Sequence, residues 1–248
     1  MVKEPFYFRP YIVGKELPPI EDYLKYFSGA EDEPYRMEAS PTYLYGGARA
    51  AKIIKEVLGD VRSIICIRNP VDQLFSLYKH HLRFMKIDKD QSFLNFIKAK
   101  DDLPNQFYDV HIQAWYDVFG DDVKCIFFDD LIQRPAEVLE DVNKWLGLSP
   151  VTFREDNMLN ANPGETYRYR SIHSLALRFF WRTKTYLPHQ LFVKLRKLYY
   201  TFNGKKIEIH LSKEDREALQ PRFSEHNNNL RQILTNRGYS DLPAWMID

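Results

Sequence analysis

Across 248 residues, 35 lysines and arginines stand against 34 aspartates and glutamates, a net charge of +1. Bulk attraction to nucleic acid or to a membrane is thereby excluded, and any anion site must be local. A hydrophobic share of 44% with 28% charged residues fits one globular domain, or one with a long helical appendage, and no run of 18 apolar residues is present to span a membrane.

Residues 3–13, KEPFYFRPYIV, are aromatic-rich and broken by Pro5 and Pro10, so a loop that packs Phe6, Tyr7 and Phe8 inward is expected. Ile20, Tyr23, Leu24 and Phe27 share one face of a short helix. Residues 28–34 make an acidic surface loop, and 35–39 a short strand closed by Ser40-Pro41. Gly46-Gly47 opens a helix to residue 58 with Ala48, Ala51, Ile54, Val57 and Leu58 inward, and Gly59 ends it. Residues 64–67, IICI, are a β-branched apolar run bounded by charge, which predicts a strand buried on both faces. From Val71 the period becomes helical, with Val71, Leu74, Phe75, Tyr78, Leu82 and Met85 on one stripe.

Further helices are expected over 91–100, with Phe93, Phe96 and Ile97 inward, and over 110–119, stopped by Gly120. Residues 123–128, VKCIFF, give a second buried strand. Pro135 then starts a helix with the stripe Val138, Leu139, Val142, Trp145 and Leu146, ended by Gly147. Strand and helix alternate at least twice, which argues for a parallel α/β sheet with right-handed crossovers. Residues 150–170 read as loop, and 171–202 as two helices split at Pro188. The Lys and Arg of 178–197 read as a solvated helix face, or as the lining of a sugar or anionic-polymer groove. Ser212 with Asp215 caps a last helix that runs to about residue 235. Cys66 and Cys125 fall inside strands as buried free thiols, with neither disulfide framework nor zinc spacing.

One junction carries chemistry. Pro70 discourages helix at Asn69 and suits a first helical position, so a strand ends, the chain turns and a helix begins. A helix N-terminus offers free N–H groups and a positive dipole end to an anion. Arg68 stands at the strand's carboxyl end and Ser76 nearly two turns into the helix. A guanidinium fork plus a hydroxyl suits a phosphate, and open α/β sheets bind ligands outside the carboxyl ends of their strands. The plainer reading is an arginine that caps a neighbouring element and a serine that faces solvent.

With these residues in view, the sequence resembles the sulfotransferases that use 3′-phosphoadenosine 5′-phosphosulfate (PAPS), closest to the Golgi and bacterial carbohydrate, heparan-sulfate-like, branch. Lys3-Glu4-Pro5 with Phe6 and Phe8 resembles the family's Lys-Glu-aromatic segment. Glu38-Ala-Ser-Pro-Thr-Tyr-Leu44 is similar to its Glu-x-Ser/Thr-Pro-x-Tyr strand end. The run Ile67-Arg-Asn-Pro-Val-Asp-Gln-Leu-Phe-Ser76, followed by Tyr78 and His80, resembles its 3′-phosphate motif. Phe128-Asp-Asp-Leu131, Trp145-Leu-Gly-Leu148 and Asn162-Pro-Gly with Arg170-Ser171 follow in family order.

The resemblance implies a P-loop-NTPase-like parallel sheet flanked by helices in a single domain, with an α/β core over 1–150 and a cofactor loop and C-terminal helices over 151–248. It implies that Arg68 and Ser76 hold the 3′-phosphate of PAPS, that Glu4 is the general base, and that Lys3 sits near the moving sulfuryl group. Arg168 or Arg170 would close over the nucleotide. The implied product is 3′-phosphoadenosine 5′-phosphate, the acceptor a carbohydrate or other small hydroxylated molecule (or an amine), and no metal is required. The implied compartment is the cytoplasm for a bacterial chain and the Golgi lumen for a eukaryotic one. Some members use a histidine base; here His80 and His81 lie in a helix, and at least one is expected to be a surface or packing residue.

Two departures qualify this expectation. The family opens with a strand and a Lys-x-Gly-Thr-Thr-like loop that binds the 5′-phosphosulfate, and nothing similar precedes Lys3 or follows it. Ala39 stands where several members have lysine. The expectation is therefore an enzyme lacking its first strand–loop–helix unit, roughly 30 residues or one βαβ increment, by truncation. Degeneration to a binding module, or completion of the site by another chain, are the alternatives. A nucleotide-dependent kinase is disfavoured by the lack of Gly-x4-Gly-Lys-Ser/Thr.

Overall fold

The computed structural model describes residues 4–84, 86–88, 90–100, 103–150, 165–183, 189–206 and 209–247. The expectations for Lys3, Met85, Pro188 and Asn162-Pro-Gly lie outside them. In chain order the elements are α1 (Arg9–Ile12), α2 (Ile20–Leu24), α3 (Thr42–Tyr45), α4 (Gly47–Leu58), β1 (Ser63–Ile67), α5 (Pro70–Arg83), α6 (Phe93–Lys100) and α7 (Tyr108–Phe119). There follow β2 (Val123–Phe127), α8 (Phe128–Gln133), α9 (Pro135–Leu146), β3 (Glu165–Tyr167), α10 (Arg170–Thr183), α11 (His189–Asn203), β4 (Gly204–Lys206), α12 (Lys213–Leu219) and α13 (Ser224–Asn236). The fold is mixed α/β, a small parallel sheet flanked by helices. The chain gathers into two compact units, Met1–Pro70 with Asp102–Phe153 and Gln220–Asp248, and Val71–Asp101 with Arg154–Leu219.

In the first unit β1 and β2 run parallel, in register from Ser63 against Val123 to Ile67 against Phe127. Ile65, Ile67, Val123, Cys125 and Phe127 enter the core, together with Ala50, Ala51, Ile53 and Ile54 of α4, Ile112 of α7 and Leu230 and Leu234 of α13. Both strands stand where the apolar runs predicted them, but their burial is corrected. Side chains alternate across a strand, and in β1 the set containing Ile64 and Cys66 is exposed. In α4 the inward set is also corrected, because Ala50 and Ile53 are buried and Ala48 is exposed.

The N-terminal aromatics pack as expected for Tyr7 and Phe8, which are buried; Tyr7 stacks on Tyr23 at 4.8 Å and Phe8 meets Tyr43 edge-on at 5.6 Å. Phe6 is only partly buried, and Arg9–Ile12 forms one helical turn rather than loop. The short strand expected over 35–39 is absent. That segment is held by side chains instead of a ladder, with Tyr35 Oη donating to the Leu146 carbonyl at 2.7 Å.

In the second unit the predicted stripe of α5 is buried at Val71, Leu74, Phe75, Tyr78 and Leu82. It meets the inward face of α6 through Phe75 and Phe93 at 5.2 Å and Tyr78 and Phe96 at 5.5 Å. The loop expected over 150–170 contains β3, which pairs antiparallel with β4. Helices α10 and α11 stand where predicted. The Ser212 cap holds, with the Asp215 N–H donating to Ser212 Oγ at 3.0 Å. The last helix, however, breaks at Gln220–Arg222, where Pro221 lacks the N–H that a continuing helix needs.

Candidate functional site

Arg68 follows directly on β1, at the carboxyl edge of the parallel pair. Phe128 follows β2 at the same edge, because the strands are parallel and in register. The Arg68 guanidinium lies over the Phe128 ring, its carbon 4.6 Å from the centroid. That contact orients the plane and leaves the donors at its rim. Arg68 Nε is buried and has no hydrogen-bond partner among the described residues. A buried donor left unpaired costs about 1–3 kcal/mol, more when charged, so a group that accepts from it is worth at least that much. Below, the Arg68 main-chain N–H donates to the hydroxyl of Tyr108, the buried first residue of α7, whose ionisation burial suppresses. The arginine backbone is thus anchored while its side chain keeps an unmet donor.

Glu4 lies on the N-terminal segment of the same unit, partly buried. Two residues on, Phe6 has φ of 54°, a left-handed value that costs a residue with a Cβ. The segment is held there from one side. The Phe6 N–H donates to Ser40 Oγ at 3.3 Å, and the Phe8 N–H donates to Tyr43 Oη at 3.2 Å. Both hydroxyls turn to Glu38: Ser40 Oγ donates to Oε2 at 2.9 Å, Tyr43 hydrogen-bonds the same carboxyl, and Tyr23 Oη donates to Oε1 at 3.4 Å. Burial raises the Glu38 pKa, opposed by these hydroxyls; the Tyr43 phenol is pushed up to about 12 by burial. Residues Glu38 to Tyr43 therefore clamp the peptide that carries Glu4. Sequence reasoning quoted this segment without giving Glu38 a role, although its Glu-x-Ser-Pro-x-Tyr order held the signal.

Of the other expected site residues, Lys3 is outside the described residues, and the rest stand in the second unit. Ser76 is exposed on α5. Arg168 is exposed just after β3, and its main-chain N–H donates to the Asn203 carbonyl at 2.8 Å. Arg170 is the first residue of α10, and its side chain lies outside what is described. His80 is exposed and His81 is buried with its ring 5.2 Å from Phe96, a packing position. A carboxylate–imidazole pair went unread in the sequence: Asp109 Oδ1 lies 2.9 Å from His226 Nδ1, Asn229 Nδ2 donates to Oδ2 at 3.2 Å, and Phe107 stacks on the imidazole at 3.8 Å. It joins α7 to α13, residues 117 apart, a pairing that no local spacing reveals.

A model described as "Sulfotransferase family" matches residues 23–152, just over half of the chain. That span contains the Glu38–Tyr43 clamp, Arg68 with its Phe128 platform, and Ser76. Among solved structures, the crystal structure of a sulfotransferase from Alicyclobacillus acidocaldarius matches with a TM-score of 0.63 at 20% identity, over 92% of this chain and 74% of that one. At that identity the likeness is one of fold, and the fold is the P-loop-like one of a sulfotransferase. No match is found among curated proteins. The family match, which spans both the Arg68 strand edge and the Glu38–Tyr43 clamp, places this chain in the sulfotransferase family.

Proposed function

We infer that the chain transfers a sulfuryl group from PAPS to a hydroxyl, or an amine, of a carbohydrate-like acceptor. The observation that carries this reading is the buried Nε of Arg68 at the carboxyl end of β1, which has no partner among the described residues. A ribose 3′-phosphate supplies the acceptor oxygens that this donor lacks, and the stacked guanidinium is already oriented to receive them. Ser76 is assigned to the same phosphate by its place in the motif. Arg168 and Arg170 are assigned to the nucleotide from the C-terminal segment, and Lys3 to the moving sulfuryl oxygens.

The chemistry is an in-line displacement. The acceptor oxygen forms a bond to sulfur as the bond from sulfur to the 5′-phosphate oxygen breaks, and 3′-phosphoadenosine 5′-phosphate leaves. Glu4 takes the acceptor's proton. Its segment is suited to that work because the peptide is fixed by two side-chain oxygens and carries strain at Phe6. The scheme asks for no metal. The acceptor assignment rests on the likeness to the carbohydrate branch.

Calorimetric titration with 3′-phosphoadenosine 5′-phosphate tests the reading. Wild type is expected to bind, and Arg68→Ala to lose at least ~1.5 kcal/mol, or about tenfold in Kd, the size of a hydrogen bond to a charged group. Equal affinity in the variant, with the fold intact by circular dichroism, would remove Arg68 from the site.

A further inference from the structure

We propose that the α10–α11 hairpin is a docking surface for an anionic lipid bilayer. The neutral overall charge conceals a sharp partition. Between residues 166 and 207 there are ten lysines and arginines and no aspartate or glutamate. Of these, Arg168, Arg178, Arg182, Lys194 and Lys197 are exposed.

The same hairpin exposes apolar surface. Ile172, Leu175 and Phe179 on α10 and Leu191, Leu198 and Phe202 on α11 are between 45% and 72% exposed. They are six of the sixteen exposed large hydrophobic side chains among the described residues. Their spacing is not random. At about 100° per residue the α10 set falls within roughly 60° and the α11 set within roughly 40°, so each is a stripe.

The two stripes share one side of the hairpin. His173 stacks near Tyr199 at 5.9 Å, and Phe180 meets Phe192 at 5.6 Å. The start of α10 therefore packs on the end of α11, and the helices are antiparallel through these faces. On each helix the apolar stripe lies between a quarter and a third of a turn from the packed face, in the same rotational sense. Two antiparallel helices with that common offset present both stripes to the same side. Arg178 and Arg182 on one helix, and Lys194 and Lys197 on the other, flank the stripes away from the packed face. The result is an apolar strip edged with cations and free of acids.

That arrangement selects the occupant. A soluble anionic polymer would use the cations but gains nothing from exposed Ile172, Leu175, Leu191 and Leu198. A bilayer interface takes both, apolar side chains at the headgroup–acyl boundary and lysine and arginine among anionic headgroups. No described helix is long and apolar enough to cross a membrane, so the contact is one of the surface.

Flotation of the full chain with vesicles tests this. Binding is expected to vesicles of 70% phosphatidylcholine and 30% phosphatidylglycerol at low salt, and at least about tenfold less to phosphatidylcholine alone. Leu175→Gln with Leu198→Gln, and separately Lys194→Gln with Lys197→Gln, are each expected to reduce binding about tenfold, the second pair also flattening its salt dependence. Backbone hydrogen exchange of wild type with and without vesicles gives a readout free of variants, and protection should appear within residues 170–203. Absence of binding, absence of that protection, or undiminished binding by the leucine pair would overturn the proposal. So would a dimer in solution that the leucine pair dissolves, since a second copy would then cover the face. None of these measurements depends on sulfate transfer.

Discussion

Ser40 and Tyr43 each act in two directions, accepting the N–H groups of Phe6 and Phe8 while hydrogen-bonding the Glu38 carboxyl. A raised pKa means that the folded chain binds the Glu38 proton more tightly than the unfolded chain does. The stabilising share of the protonated form is therefore present at low pH and lost as pH rises through the folded pKa. Glu38→Gln keeps the shape without the desolvated charge. The melting temperature of the variant relative to wild type is expected to rise from pH 4 to pH 7, and a gap that is flat or falls across that range would show that the carboxylate is not disfavoured. Ser40→Ala acts on the peptide instead. It leaves the Phe6 N–H without its acceptor beside a backbone at φ 54°. Sulfate transfer should drop on the order of tenfold in kcat, because displaced catalytic groups lose that much or more, while affinity for 3′-phosphoadenosine 5′-phosphate stays unchanged. Loss of nucleotide affinity in Ser40→Ala would argue that the clamp serves the nucleotide and not Glu4. The order of residues from Glu38 to Tyr43 was legible in the sequence. The clamp was not, since it needs Tyr23 from α2 and the N-terminal peptide brought to one place by packing.

Buried His173 binds elements α5, α10 and α11 together. Its Nε2 lies 2.9 Å from the Arg83 carbonyl and its Nδ1 2.5 Å from Tyr199 Oη, while Asn203 Nδ2 donates to that same hydroxyl at 2.8 Å. Asn203 also exchanges hydrogen bonds with the Tyr169 main chain, beside Arg168. Burial lowers the His173 pKa, with the carbonyl of Arg83 opposing and its guanidinium assisting. The unfolded chain therefore takes the proton first. Stability from this network is complete above the unfolded pKa of about 6.5 and is lost as pH falls from there through the lower folded pKa. His173→Phe fills the space and leaves the Arg83 carbonyl unpaired, a cost of about 1–3 kcal/mol at pH 7.5. Chemical denaturation should show the gap between wild type and variant shrinking as pH drops from 7.5 to 5.5; a constant gap would mean that His173 does not titrate in that window. Elements with strong periodicity, such as the α5 stripe and the Ser212 cap, were legible because local spacing decides them. The strands β3 and β4 were not, since three residues each give no period and only pairing defines them. The break at Gln220–Arg222 was not legible either, because a lone proline can kink a helix as well as end it.

At the scale of the molecule, charge and fold divide the chain differently. Each unit is assembled from separate stretches of sequence, yet the cations are concentrated in one contiguous stretch. The ten basic residues between 166 and 207, taken from 35, leave 25 against 34 acidic residues elsewhere. A sequence pI of about 7.7 describes the sum and no part of it. Ion exchange resolves the difference, because a resin engages a local patch and screening confines its reach to about 10 Å at 0.1 M salt. At pH 8.3 the whole chain is above its pI and net negative, and a uniform charge distribution would carry it past a cation exchanger. The basic hairpin should instead retain it at low ionic strength, with elution by salt. Lys194→Gln with Lys197→Gln should elute earlier, and an equivalent pair of changes at Lys52 and Lys98, outside the stretch, should matter much less. Passage of wild type without retention would mean that the basic residues do not act as one patch, and would weaken any account in which this surface meets an anionic partner.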